Sequence, residues 1–283
     1  MILVFKKKQL FWLSPKSCRQ YRSQIKIVTT DVHYGSLADG EKVLGLLGSR
    51  CELKGKKILE VGCGWAENCI ALAKWGAECT GIDIAPYNIK EARKLATAEK
   101  VNVRLLVSNA VNLRELPDNY FDTVISSYTL GFVGDIQAAF RAINRVLKKN
   151  GKFIFCLRHP AQIPGKVNRF FFPEQPPNEQ WVENNYTINQ IVIYLTKFGF
   201  YVHDIVPQRT KNPSKLTIPR MEKFPYRLTG KLDPKFDCLS RLPHTIIYCC
   251  RKIKSFKPRK KPTKLQSVSP AKKATRKRRL VAA

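Results

Sequence analysis

Ile58-Leu59-Glu60-Val61-Gly62-Cys63-Gly64-Trp65-Ala66-Glu67-Asn68 is the stretch that decides the fold. Ile58, Leu59 and Val61 make a short buried strand, and Gly62 stops it. Small residues after a strand let the backbone approach a ligand closely, and the helix that follows turns its free amides toward that ligand. By itself a GxGxA pattern marks either a tight turn or a nucleotide site. The next strand, Glu78 to Ile84, sharpens the reading because it carries Asp83 at its end, where a carboxylate accepts both hydroxyls of a ribose. A dinucleotide-binding fold shows GxGxxG, whereas this chain has Asn68 and no third glycine there.

Outward from this stretch the same alternation repeats. Ala66 to Lys74 takes helical spacing and ends at Gly76, and Pro86 to about Glu99 is a second helix with Pro86 in its first turn. Val103 to Val107 and Phe121 to Ser126 are further strands. Ile136 to Leu147 is a helix with Ile136, Phe140, Ile143 and Leu147 on one face, ended by Asn150 and Gly151. Lys152 to Leu157 is a fifth strand, Ile188 to Phe198 a helix, Phe200 to Val206 a sixth strand and Thr245 to Cys250 a last one. This order calls for an α/β fold with a mostly parallel sheet and right-handed crossovers. An open sheet of that kind binds its ligand beyond the carboxyl ends of the strands, which gathers Gly62, Asp83, Asn109, Ser126 and the Arg158, His159 pair around one crevice.

The domain is expected over residues 31–254, with loop insertions near 159–183 and 207–243. Residues 1–30 hold seven Lys or Arg and no acidic residue, and their apolar runs are too short for a secretory core. This basic extension leaves an organelle transit segment or an over-extended start open and stands apart from the enzyme argument. From 255 to 283 apolar content collapses into a Lys/Arg-rich tail that cannot offset its ordering entropy by burial, so disorder is expected there. No apolar run is long enough to cross a bilayer. The nine cysteines show no metal-ligand spacing; their odd count and the adjacent Cys249 and Cys250 argue for a reducing, cytoplasmic setting without a disulfide framework.

Leu59 to Ala66, followed by Gly81 to Ala85, resemble the first two motifs of class I S-adenosylmethionine-dependent methyltransferases. Within that superfamily the chain is similar to the broad methyltransferase domain 11 group. Leu116-Pro117-Asp118-Asn119-Tyr120-Phe121-Asp122 resembles its turn into the fourth strand, and Asn144-Arg145-Val146-Leu147 with Asn150-Gly151-Lys152 its approach to the fifth. The resemblance covers residues 33 to 252 and is specific for fold and cofactor, not for substrate. It implies a Rossmann-like, open seven-stranded sheet with helices on both faces and S-adenosylmethionine as cofactor. Gly62 and Gly64 would then form the loop under the methionine portion, with Glu60 nearby; Asp83 would hold the ribose and Ile84 would pack on adenine. Asn109 stands where the family usually has an Asp on the adenine amino group, and Ala66 replaces its usual third glycine.

Methyl transfer is a direct displacement at a sulfonium carbon, so the protein must align the acceptor and take or tolerate one proton. Ser126, Ser127, Tyr128, Arg158 and His159 are the candidate lining, with Ser126, Tyr128 and His159 as the catalytic candidates; a His-Pro pair at this place is shared by many of the resembling proteins. Plainer roles exist for each: Tyr128 can pack behind the sheet and His159 can anchor a loop. His33 and Tyr34 can close over the cofactor from the amino-terminal side. Enzymes that methylate base amines in DNA carry two prolines after the fourth strand, and Ser126-Ser127-Tyr128 lacks them; a cytosine-carbon enzyme needs a Cys that is also absent there.

Charge points the other way. Residues 31–150 hold sixteen basic and fourteen acidic side chains, residues 151–250 fourteen and seven, and residues 251–283 fourteen and none, within a net charge of +30. Such a field attracts a polyanion. Lys166, Arg169, Arg209, Lys211, Lys260, Lys261, Arg276 and Arg278 are candidate nucleic-acid contacts, interleaved with Phe170, Phe171, Phe172 and Phe224 as stacking groups. These observations put a base in DNA first as acceptor, an exocyclic amine ahead of a ring carbon, with DNA binding and nucleoid or chromatin association. A small-molecule acceptor, the tail serving only for localisation, and an RNA acceptor are the alternatives.

Overall fold

The computed structural model describes residues 12–23, 27–35, 38–160, 184, 186–208 and 243–256. Strands β1 (Lys57–Val61), β2 (Glu78–Asp83), β3 (Arg104–Val107), β4 (Phe121–Ser127), β5 (Leu147–Arg158), β6 (Phe200–Gln208) and β7 (Thr245–Lys252) form one sheet in the order β3-β2-β1-β4-β5-β7-β6. The first five run parallel, and β7 enters antiparallel between β5 and β6. The direction of winding reverses between β1 and β4, so the crevice for a ligand lies beyond the carboxyl ends of those two strands.

Among the described residues, seven α-helices accompany the sheet: α1 (Pro15–Arg22), α2 (Glu41–Leu44), α3 (Arg50–Leu53), α4 (Glu67–Lys74), α5 (Pro86–Ala98), α6 (Ile136–Val146) and α7 (Ile188–Lys197). Side chains of a strand alternate between faces, and two cores result. Leu59, Val61, Phe153, Phe155, Tyr248 and Cys250 face the core with α6 and α7, while Ile58, Ile154, Cys156, Ile247 and Cys249 face the core with α4 and α5. Cys249 and Cys250 therefore point to opposite faces, and every described cysteine is a free thiol. Among the described residues no helix is long and apolar enough to cross a membrane, and no cluster of His, Cys, Asp and Glu can hold a metal ion.

The strands follow their sequence patterns, with one correction at the fifth. The helix expected to run through Leu147 ends at Val146, and Leu147 already pairs with Phe121 as the first residue of β5. The amides of Asn119 and Tyr120 take the carbonyls of Arg145 and Val146 at 2.9 and 2.8 Å, and Lys252 Nζ takes that of Leu147 at 2.6 Å. The last helical carbonyls thus find tertiary partners and the chain turns into the sheet.

Candidate functional site

The glycine-rich loop is shaped by left-handed backbone at Gly62 (φ 75°), Gly64 (φ 56°) and Ala66 (φ 64°). A Cβ on Gly62 would lie 2.0 Å from Thr129 Oγ1, a hydroxyl that itself donates to the Gly62 carbonyl at 3.1 Å. At Gly64 a Cβ would meet nothing within 4 Å. The amides of Gly62 and Cys63 both donate to Ile82 O at 2.8 Å, which ties the loop to β2. Helix α4 then starts at Glu67 with no side-chain cap on its first amides.

Asp83 closes the other side. Its Oδ2 accepts the Gly64 amide at 2.9 Å, and its Oδ1 accepts the Ala85 amide at 2.8 Å and Asn88 Nδ2 at 3.3 Å. Burial raises its pKa and these donors oppose that rise. A carboxylate offers about four lone-pair sites, so one remains beyond these three donors. Ile84 is half-buried beside it, and Asn109, half-buried after β3, accepts the Val111 amide at 3.1 Å through Oδ1.

Glu60 sits beneath the loop, 3% exposed, between Asn68 Nδ2 at 2.9 Å and Cys69 Sγ at 3.1 Å. Burial pushes its pKa up to about 8 against those two donors. Asn68 also joins the amino-terminal segment to the site, since its Oδ1 accepts the His33 amide at 2.9 Å and its Nδ2 donates to the His33 carbonyl at 3.2 Å. Tyr34 turns inward, 1% exposed, with its hydroxyl on Glu41 Oε2 at 2.6 Å. Its ring is part of the core and does not cover the crevice.

At the acceptor end the three catalytic candidates separate. Ser126 is 1% exposed and donates to Val61 O at 2.9 Å, so it braces β4 to β1 and faces no crevice. Tyr128 has left-handed backbone (φ 56°) and brings its hydroxyl to Thr245 Oγ1 and to His244 Nδ1, the latter at 3.4 Å. Its ring lies so close to Gly35 that a Cβ there would be 1.9 Å away. His159 is half-buried and its amide donates to the His244 carbonyl at 2.8 Å. Burial lowers the pKa of both histidines, and with Arg158 nearby it brings His244 to about 4. His244 has no motif around it in the sequence; the antiparallel entry of β7 carries it to the end of β5.

Helix α1 completes this edge, although its residues were set apart in the sequence. Arg22 pairs with Glu67 and lies over Trp65 at 4.9 Å, Arg19 lies over Tyr87 at 5.5 Å, and the Trp12 ring meets Phe132 edge-on at 5.4 Å. Burial and the neighbouring Asp83 raise the Cys18 thiol to about 11. Helix α1 thus reaches the loops after β1 and β2, and Trp12, which precedes it, reaches the loop after β4. A cavity of about 340 Å³ beside Lys56, Asp122, Lys149 and Arg251 lies at the opposite, amino end of the strands, away from this crevice. Lys166, Arg169, Arg209, Lys211, Lys260, Lys261, Arg276 and Arg278 lie outside the described residues.

With that geometry in place, residues 59–155 match the model of a methyltransferase domain family. The uncharacterized methyltransferase YcgJ of Bacillus subtilis is 30% identical over 129 residues, 45% of this chain and 50% of the relative. A ubiquinone biosynthesis O-methyltransferase of Xanthomonas oryzae is 35% identical over 109 residues, 38% of this chain and 46% of that one. In structure, the chain is similar to an S-adenosylmethionine-dependent methyltransferase of Mesorhizobium loti, with a TM-score of 0.53, 20% identity and coverage of 73% of this chain and all of the other. Residues 59–155 thus match a methyltransferase domain, and the chain shares the fold of the Mesorhizobium loti structure. The cradle at Gly62 and Gly64, the uncapped start of α4 and the Asp83 carboxylate suit the charges of S-adenosylmethionine, on which the Mesorhizobium loti enzyme depends. The chain spans about half the length of the curated relatives it matches.

Proposed function

We propose that the protein transfers a methyl group from S-adenosylmethionine to a small-molecule acceptor, and that its Lys/Arg-rich carboxyl-terminal segment serves to localise it. The observation that carries the reading is the hydrogen bond of Gly64 to Asp83, which joins the two cofactor motifs into one site. Gly62 and Gly64 would lie under the methionine portion, Asp83 would accept a ribose hydroxyl at its remaining lone-pair site, Ile84 would pack on adenine, and Asn109 would meet the adenine amino group. Glu60 supports the loop through Asn68 and Cys69. Bound there, S-adenosylmethionine supplies an activated methyl group.

The chain's own part is to align the acceptor and receive its proton. Tyr128 and His159 line the acceptor side, and His244 joins them as a neutral imidazole at pH 7 because its pKa is about 4. Similarity to the ubiquinone biosynthesis O-methyltransferases supports a small-molecule acceptor methylated on oxygen. The strand end Ser126-Ser127-Tyr128, without a proline pair, supports the same class.

A base in DNA, methylated at an exocyclic amine, is the second reading, and the basic excess of residues 151–283 favours it. Labelled methyl transfer tests the two together. Full-length protein, and protein ending near Lys254, would be given duplex DNA, RNA and a metabolite pool. Transfer to a metabolite by both proteins supports the proposal; incorporation into DNA that survives removal of the tail replaces it with the second reading.

A further inference from the structure

Arg22 and Glu67 form an ion pair at the glycine-rich loop, with side chains only 10% and 9% exposed. The guanidinium lies over the Trp65 ring at 4.9 Å, and Trp65 stands directly between Gly64 and Ala66. The indole Nε1 of Trp65 is buried and has no hydrogen-bond partner among the described residues. A buried N–H left without an acceptor is costly, and an acceptor supplied by a ligand removes that cost. The first amides of α4 add a positive helix end without a side-chain cap.

These groups form a matched set. An N–H donor, a guanidinium and a helix amino end favour a carboxylate, while the Glu67 carboxylate beside them favours an ammonium. A free α-amino acid group carries both charges on one carbon. We propose that Arg22 and Trp65 Nε1 hold the α-carboxylate of the cofactor's amino-acid end, with Glu67 facing its ammonium. The proposal rests on S-adenosylmethionine being the cofactor, and it makes α1, outside the matched motifs, part of the binding site. Arg22 and Glu67 neutralise each other while no ligand is bound, so the site keeps its charges buried and paired. Burial raises the pKa of Glu67 and Arg22 opposes that rise.

Isothermal titration of the full chain with S-adenosylhomocysteine and with 5′-methylthioadenosine separates the amino-acid end from the nucleoside, since the second compound lacks that end. Arg22→Met and Trp65→Phe are the variants; the latter keeps an aromatic ring under Arg22 and removes the N–H together with part of the indole. Each should weaken S-adenosylhomocysteine about tenfold or more, the scale of one charge-assisted hydrogen bond, and leave 5′-methylthioadenosine within about twofold. Arg22→Lys should recover part of the loss. Equal weakening of both compounds would mean that Arg22 only positions α1, and no weakening of either would mean that it makes no contact; both overturn the proposal. Thermal unfolding of each variant confirms that it is folded, and Trp65→Phe decides the case if Arg22→Met is not. Failure of the wild-type chain to bind either compound would refute the cofactor reading itself, and the proposal with it.

Discussion

Replacing Gly62 by Ala adds one methyl group at the most crowded point of the loop. The new Cβ would sit 2.0 Å from Thr129 Oγ1 and 2.2 Å from Thr129 Cγ2, so Thr129 must move and give up its hydrogen bond to the Gly62 carbonyl. Left-handed backbone adds roughly 1–2 kcal/mol for a residue with a Cβ. Loss of the hydrogen bond adds about 1 kcal/mol. The expected destabilisation is about 2–3 kcal/mol, before any backbone shift, which lowers Tm by roughly 4–12 °C for a domain of this size. Gly64→Ala is the control: it has the same left-handed backbone but open space around the Cβ, so its Tm should fall less. Its affinity for S-adenosylhomocysteine should nevertheless drop, because the added methyl projects into the cradle. Calorimetric melting and titration of both variants check this. Equal Tm for Gly62→Ala and wild type, or unchanged affinity for Gly64→Ala, would refute the account of the loop.

Other outcomes follow from the same geometry. The folded Glu60 carboxyl titrates near 8, above its unfolded value, so it retains a proton that the unfolded chain releases; stability should fall as pH rises from about 4.5 to about 8, and Glu60→Gln should flatten that slope in melting curves. His244 behaves in the opposite sense, with a folded pKa near 4 below the unfolded 6.5, so His244→Gln should reduce the loss of stability on acidification between those values. Ser126→Ala removes a buried brace to Val61 and should lower stability by about 1 kcal/mol with cofactor affinity unchanged, measured by denaturant titration. Lys252→Met leaves the Leu147 carbonyl and Asn119 Oδ1 without the Nζ they accept from, and should destabilise by about 1–3 kcal/mol on the same assay.

The sheet was legible because each strand carries its own local signal. Ile58, Leu59 and Val61 before Gly62, or Phe153 to Leu157 after Gly151, announce burial and its end within a few residues. The place of Asp83 at the end of β2 is legible for the same reason, because strand ends are marked. The burial of Ser126 against Val61 is not legible in the sequence, because alternation decides facing and one step along β4 changes the face. His244 and α1 were not legible as parts of the site. His244 reaches Tyr128 across 116 positions, and α1 reaches the glycine loop through Arg22 across more than 40, so neither contact leaves a local pattern. The end of α6 differs from the sequence pattern because Asn119 and Tyr120, distant in sequence, take its last carbonyls, and Lys252 takes that of Leu147 in β5.

Titration of S-adenosylmethionine into the full-length wild-type chain and into Asp83→Ala tests the central claim most directly. The account predicts saturable one-site binding to the wild type and a loss of at least about tenfold in Asp83→Ala, measured below the melting temperature of the variant, which its lost hydrogen bonds lower. Absence of binding to the folded wild type, or equal binding by the two chains, would contradict it.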